Sequence, residues 1–233
     1  TWAVINLDAL KENYAKLRRH IGPGVKFLGV VKADAYGHGA IQVSRVLQRC
    51  GADYLAVSSA DEAGELRRGG ITMPILILGH TPKEQVENLI RNNITQAVTC
   101  RAKALEYSEE AMRCGGTLKI HIKVDTGMSR LGYLVAGDHF ATGVEGICES
   151  CRLPGLDAEG IFTHFAVSDE EDEESREYTR EQFALFTAVI EKVEEKLGRK
   201  FRLRHCANSG AVANWPEMLL DMVRPGLLVY GCG

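Results

Sequence analysis

No apolar run in this sequence approaches the roughly 20 residues that a helix needs to cross a bilayer, and no charged-then-apolar leader opens it. Contact with a membrane is therefore not expected. Long basic stretches are missing too: 28 Lys and Arg face 31 Asp and Glu, for a net charge of -3, so nothing in the sequence draws nucleic acid. No strand-like segment is followed by G-x-G-x-x-G, and no P-loop occurs, which removes the usual glycine-rich phosphate turns of nucleotide folds. No repeat or low-complexity linker divides the chain. Seven cysteines are an odd count in a chain too long to need disulfide staples, so reduced thiols in a cytosolic protein are expected. Cys148 and Cys151 form a C-x-x-C pair, but no second pair or histidine stands beside it at zinc-like spacing. An ordinary helix end is the simpler reading, and no metal is expected.

What is present is a long alternation. With 45% hydrophobic residues over 233 positions, the chain can bury one large core. Residues 1–7 read as a short extended segment. Asp8 then reads as an N-cap for a helix with Leu10, Tyr14, Leu17 and Ile21 on one face, stopped by Gly22 and Pro23. Buried-type strands are expected at 26–33, 54–59, 75–80, 95–100, 118–125, 157–164, 202–208 and 222–230. Amphipathic segments lie between them at 39–50, 83–92, 101–114 and 179–197. Thr179 and Gln182 fit a capping box for the last, and the acidic run 169–174 before it reads as a solvated loop. Eight such strands alternating with helices in this length point to a single-domain α/β fold, a (β/α)8 TIM-type barrel over 1–233.

In that fold the working side chains project from the C-terminal strand ends and the loops that follow. Those positions carry Lys32 and Tyr36, then Lys123, Asp125 and Arg130, then His164, then His205, Asn208 and Ser209, and finally Arg224 and Gly226. Strand interiors are by contrast Val, Ile and Leu, and such one-sided clustering favours a site over general solvation. Lys32 ends the apolar run Phe27-Leu28-Gly29-Val30-Val31. A lysine buried there has a destabilised ammonium, and its free amine is then available for Schiff-base chemistry.

Val31-Lys32-Ala33-Asp34-Ala35-Tyr36-Gly37-His38-Gly39 resembles the cofactor-attachment motif of alanine racemases. Four further blocks continue the resemblance in order: Lys123 to Gly132, Thr163-His164-Phe165-Ala166, His205 to Gly210, and Val223-Arg224-Pro225-Gly226. The resemblance implies pyridoxal 5'-phosphate as cofactor and a small amino acid as substrate, alanine above all and serine also admitted. It implies that Lys32 holds the cofactor and, once exchanged, moves the Cα proton on one face. Tyr36, Asn208, Ser209 and the Gly226 backbone would meet the phosphate. Arg224 would face the pyridine nitrogen and, being unable to accept a proton, leave that nitrogen unprotonated. His205 would orient Arg224, and His164 would extend the polar network around it. Arg130 would donate to the cofactor's phenolic oxygen. Lys123, often carbamylated in the family, would fix Arg130; a surface pair with Asp125 is the plainer alternative.

Members of this family continue into a mostly β C-terminal domain, whose tyrosine serves as second base in the partner subunit of a homodimer. No matching block exists in this sequence, so the chain is expected to be the barrel portion of a longer isomerase, supplying D-alanine for bacterial cell wall. The start at Thr1-Trp2 resembles an internal position of the family, so upstream residues are expected as well. Two other readings are weaker. A decarboxylase of the same barrel calls for a carboxylate where Arg224 stands, and a non-catalytic cofactor-carrying lone barrel lacks the Lys123 and Val223 blocks.

Overall fold

The computed structural model describes residues 2–232. Thr1, and Gly233 where the resemblance ends, lie outside it. Nine strands form: β1 (Lys26–Val30), β2 (Tyr54–Val57), β3 (Ile75–Ile77), β4 (Ile94–Val98), β5 (Leu118–Asp125), β6 (Tyr133–Leu134), β7 (Leu156–Phe162), β8 (Leu203–His205) and β9 (Met222–Val223). All pairings are parallel, in the order β8-β7-β5-β4-β3-β2-β1-β9, with the short β6 added beside β5. No ladder joins β8 to β9. Backbone bonds from Asp221 N to Arg204 O (3.1 Å) and from Arg224 N to Ala207 O (2.8 Å) bring those two ends together. The result is a nearly closed eight-strand barrel wrapped by helices, the (β/α)8 architecture expected from the alternation.

The helices follow from amphipathic stripes with ordinary caps. Leu7–Ile21 buries Leu10, Tyr14 and Ile21, but its N-cap is Asn6, whose side chain accepts from Asp8 N and Ala9 N; Asp8 lies in the first turn instead. Ala40–Cys50 and Arg101–Arg113 match the expected segments closely. The 83–92 segment is a 3-10 turn, Lys83–Gln85, running into Val86–Arg91. Cys148 and Cys151 fall in the last turn of Phe140–Cys151 and are buried, as an ordinary helix end requires.

Three expectations need correction. The capping box at Thr179 and Gln182 does not exist: the helix is Glu173–Leu197, capped by Asp172, so the acidic run becomes its start and not only a loop. Thr179 bonds the Ser175 carbonyl one turn back, while Gln182 reaches the Ala166 N–H. The last expected strand, 222–230, is only two residues long and gives way to a 3-10 turn at Leu227–Tyr230. The strand interiors are not uniformly apolar either. Leu28, Val30, Tyr54, Ala56, Leu76, Leu203 and Met222 form one interior cluster. His121, Lys123, Glu159 and His205 are buried as well. Among the described residues no helix is long and apolar enough to cross a membrane.

Candidate active site

Immediately after β1 the chain makes an uncommon turn. Ala33, Asp34, Ala35 and Tyr36 all lie at φ between 50 and 54°, one turn of left-handed helix, and the right-handed helix resumes only at Ala40. Such residues each cost roughly 1–2 kcal/mol. Local bonds hold them: Ala33 N donates to Glu62 Oε1 (2.8 Å), Ala40 N to Asp34 Oδ1 (2.7 Å), and Gly39 N to Asp34 O (3.0 Å). The turn projects Lys32 and Tyr36 over the C-terminal rim. Tyr36 there packs its ring against Tyr230, whose hydroxyl donates to Val30 O.

A cavity of about 250 Å³ opens at this rim. Lys32, Tyr36, Lys123, Arg130, His164, Asn208, Ser209, Arg224 and Gly226 all line it. His205 does not line it but lies directly behind Arg224. Of the eleven strand-end residues read from the sequence, nine line the cavity, His205 stands behind it, and Asp125 is not part of its wall.

Arg224 is the most constrained of them. Its guanidinium donates to His205 Nδ1 (2.9 Å), Thr163 O (2.7 Å), Cys206 O (3.0 Å) and His164 Nδ1 (3.3 Å). No salt bridge reaches it among the described residues. Burial lowers its pKa to about 10, so it remains a cation at neutral pH. Burial, with Arg224 next, depresses both neighbouring histidines, His164 to about 2 and His205 well below its usual value. Both rings are therefore neutral, and their Nδ1 atoms can accept from Arg224.

The burial expected of Lys32 is found at Lys123 instead. Lys32 is only half-buried, whereas Lys123 is buried at 7% exposure. Burial, reinforced by Arg224 and Arg130, pulls the Lys123 amine down to about 7. Its Nζ donates to the Val124 carbonyl (2.8 Å), while Asp125 instead accepts from the N–H groups of Gly127 and Ser129. The alternative of a Lys123–Asp125 surface pair is thereby excluded. Arg130 is exposed, in the loop after β5 rather than on the strand.

Asn208 caps the short helix Ser209–Asn214 by accepting from Ala211 N (3.0 Å), and it also accepts from Ser168 Oγ (2.7 Å). Ser209 Oγ accepts from Gly226 N (3.0 Å), and a Cβ at Gly226 would stand 2.9 Å from Tyr36 Oη. Glycine there lets the Tyr36 hydroxyl stand beside Ser209 and the Gly226 backbone, neutral groups suited to a phosphate dianion. An amine at one side and a buried cation at the base complete a set that fits pyridoxal phosphate.

The sequence profile of the family described as "Alanine racemase, N-terminal domain" matches residues 5–233. The chain belongs to that family. An alanine racemase from Desulforamulus reducens is 44% identical over 99% of the chain and 60% of its own length, and one from Clostridium perfringens is 44% identical over 99% and 57%. The solved structure of a Clostridium difficile alanine racemase in complex with cycloserine superposes with a TM-score of 0.92 at 40% identity, covering 99% of the chain and 61% of its own. The chain thus spans about 60% of the length of these alanine racemases.

Tyr54, His121 and Glu159 complete the buried polar set inside the barrel and were not anticipated. For His121 the one signal was the alternation of β5, where Lys119, His121, Lys123 and Asp125 share a face opposite Ile120, Ile122 and Val124.

Proposed function

We propose that this chain is the cofactor-binding barrel of a pyridoxal-phosphate-dependent isomerase that interconverts L- and D-alanine. The observation that carries this reading is Arg224: a buried cation, held by four acceptors, at the base of the same cavity that Lys32 enters. Bound through its aldehyde, pyridoxal phosphate supplies a conjugated ring that draws electrons from the substrate Cα–H bond. Lys32 would hold that aldehyde and, as a free amine, move a proton at Cα on one face. Arg224 only donates, so it would leave a ring nitrogen placed beside it unprotonated and the electron sink weak. A weakly delocalised carbanion would favour return of a proton to Cα over side reactions, and an arginine where a decarboxylase of this barrel calls for a carboxylate sets this reading above that one. Tyr36, Ser209 and the Gly226 backbone would hold the phosphate, with Asn208 securing the helix start behind them. His164 would keep Arg224 in place as a neutral acceptor.

Among the described residues Arg130 has no fixed partner, and Lys123, with its pKa drawn down to about 7, holds a substantial share of free amine at neutral pH. Such an amine can add carbon dioxide: a new N–C bond forms, one N–H proton leaves, and the resulting carbamate is an anion able to fix Arg130. A second proton-moving group is needed on the opposite face of Cα. The family resemblance assigns it to a tyrosine of a C-terminal β domain on the partner subunit, so a longer, homodimeric, cytosolic protein is part of the proposal.

The test is direct. Pyridoxal phosphate added to the protein should give a visible absorbance band that borohydride abolishes and that Lys32→Ala never develops. The natural full-length protein with the cofactor should exchange the alanine Cα proton with solvent. Carbon dioxide release in its place would overturn the assignment.

A further inference from the structure

Behind Arg224 the barrel holds a line of polar groups that the reaction as described does not use. His205 Nε2 lies 2.8 Å from His121 Nδ1, and His121 Nε2 lies 3.5 Å from Glu159 Oε1. That last separation is at the outer limit of a hydrogen bond, and the nitrogen has no closer partner among the described residues. Glu159 Oε1 also accepts from the Tyr54 hydroxyl (3.0 Å), and Oε2 faces Arg202 (3.3 Å) at the opposite rim.

The direction of every bond in this line is set by its two ends together, since Arg224 can only donate and an ionised Glu159 can only accept. Arg224 can only donate, so His205 Nδ1 must accept. Being neutral, His205 then carries its proton on Nε2 and donates to His121 Nδ1. His121 in turn must carry its proton on Nε2, pointing at Glu159. Donation runs one way, Arg224 to His205 to His121 to Glu159. Burial alone would push the Glu159 carboxyl up, but the donors His121, Tyr54 and Arg202 outweigh it and hold the group below its usual range. An anion therefore stands where the chain ends.

Two features of β7 make this arrangement structural. The β5–β7 ladder pairs Ile120 with Ala158 and His121 with Gly160, skipping Glu159, and such a bulge re-aims a side chain. A Cβ at Gly160 would come within 2.6 Å of the His121 ring, so only glycine lets the imidazole lie there.

We propose that Glu159 is a positioning residue for the base of the site: by fixing the tautomers of His121 and His205 it keeps an acceptor lone pair on Arg224. The proposal rests on the functional reading above only for its kinetic consequence. Histidine side-chain nitrogen shifts, read by NMR in the natural full-length protein without cofactor, should show Nε2–H on both rings. Glu159→Leu should lose the single tautomer at both, while Glu159→Gln, whose amide oxygen still accepts, should keep it. With cofactor, Glu159→Leu should lose about tenfold to a hundredfold in kcat for alanine racemisation with KM little moved, and Glu159→Gln should recover most of it. Nδ1–H on either ring of the parent protein overturns the proposal, even if Glu159→Leu fails to fold. Retained tautomers or an unchanged kcat in Glu159→Leu overturn it as well. A parent protein that does not racemise alanine refutes the functional reading instead, and the spectra still decide the relay.

Discussion

An ammonium that loses its water without gaining a carboxylate partner is a liability, and Lys123 offsets that loss only in part, through the Val124 carbonyl and the more distant Asp125. With its pKa near 7 in the folded chain and 10.5 ordinarily, the unfolded state binds a proton between those values that the folded state does not. Stability therefore rises with pH across that window, and the full penalty is present below it. Lys123→Met should be more stable than the parent below about pH 7 by on the order of a few kcal/mol, the advantage fading towards pH 10.5. Urea unfolding across that range in bicarbonate-free buffer measures it, and a pH-independent difference would mean that the amine is not the source. The same position shows where residue-level reading of the sequence succeeds and where it fails. Lys123 was recognisable from its motif, yet the buried, depressed amine was expected at Lys32. Strand-end position says that a lysine meets the cavity, but how much protein covers it depends on loops that arrive from elsewhere in the chain. His121 and Glu159 escaped for a related reason: polar residues alternating on a strand ordinarily mark a wet face, and here that face turns into the barrel.

Elements were legible to the extent that periodicity governs them. The strand centres and the stripes of the long helices follow from apolar spacing, whereas their ends are set by chemistry that spacing does not encode. Three of the four left-handed residues at Ala33–Tyr36 have no propensity signal, since neither alanine nor tyrosine favours that conformation, and a single aspartate does not announce a run. The turn is held by the remote carboxylate of Glu62 and by bonds from Ala40 and Gly39 back to Asp34. Ala33 is exposed, so Ala33→Gly should relieve strain without losing packing, raising stability by about 0.5–1 kcal/mol in denaturant melts. Ala35→Gly, at a fully buried position, should gain less or lose. The β7 bulge is equally specific. Gly160→Ala should destabilise the chain by about 1–3 kcal/mol, because its methyl meets the His121 ring between packed strands. A neutral result there would mean that the ring is free to move aside.

The barrel as a whole is weakest where its ladder is interrupted. Seven strand pairings of the ring are continuous backbone ladders or bridges, but β8 and β9 meet through single backbone bonds and one side-chain clamp. Asp221 supplies that clamp: its carboxylate accepts from Arg204 N (2.8 Å), Nε (2.7 Å) and Nη2 (3.0 Å), and its own carbonyl accepts from Lys26 N (2.9 Å). Burial would raise the Asp221 pKa, but the bonds from Arg204 outweigh it and hold the carboxyl below the usual range. The clamp is thus fully present above the ordinary aspartate pKa and is lost as pH falls through the lower folded value. Asp221→Ala should cost about 1–3 kcal/mol. It should also speed hydrogen exchange at Asp221 and Arg224 before it affects the β4–β5 amides. Arg224 follows β9 directly, so a seam that opens also loosens the guanidinium beneath the cavity. Cofactor affinity in Asp221→Ala should then fall together with seam protection, although Asp221 touches no residue of the cavity wall except through the backbone of β9. Equal protection at the seam and at β4–β5 in that variant would show that the ring closes by the packing of its interior instead of by this carboxylate.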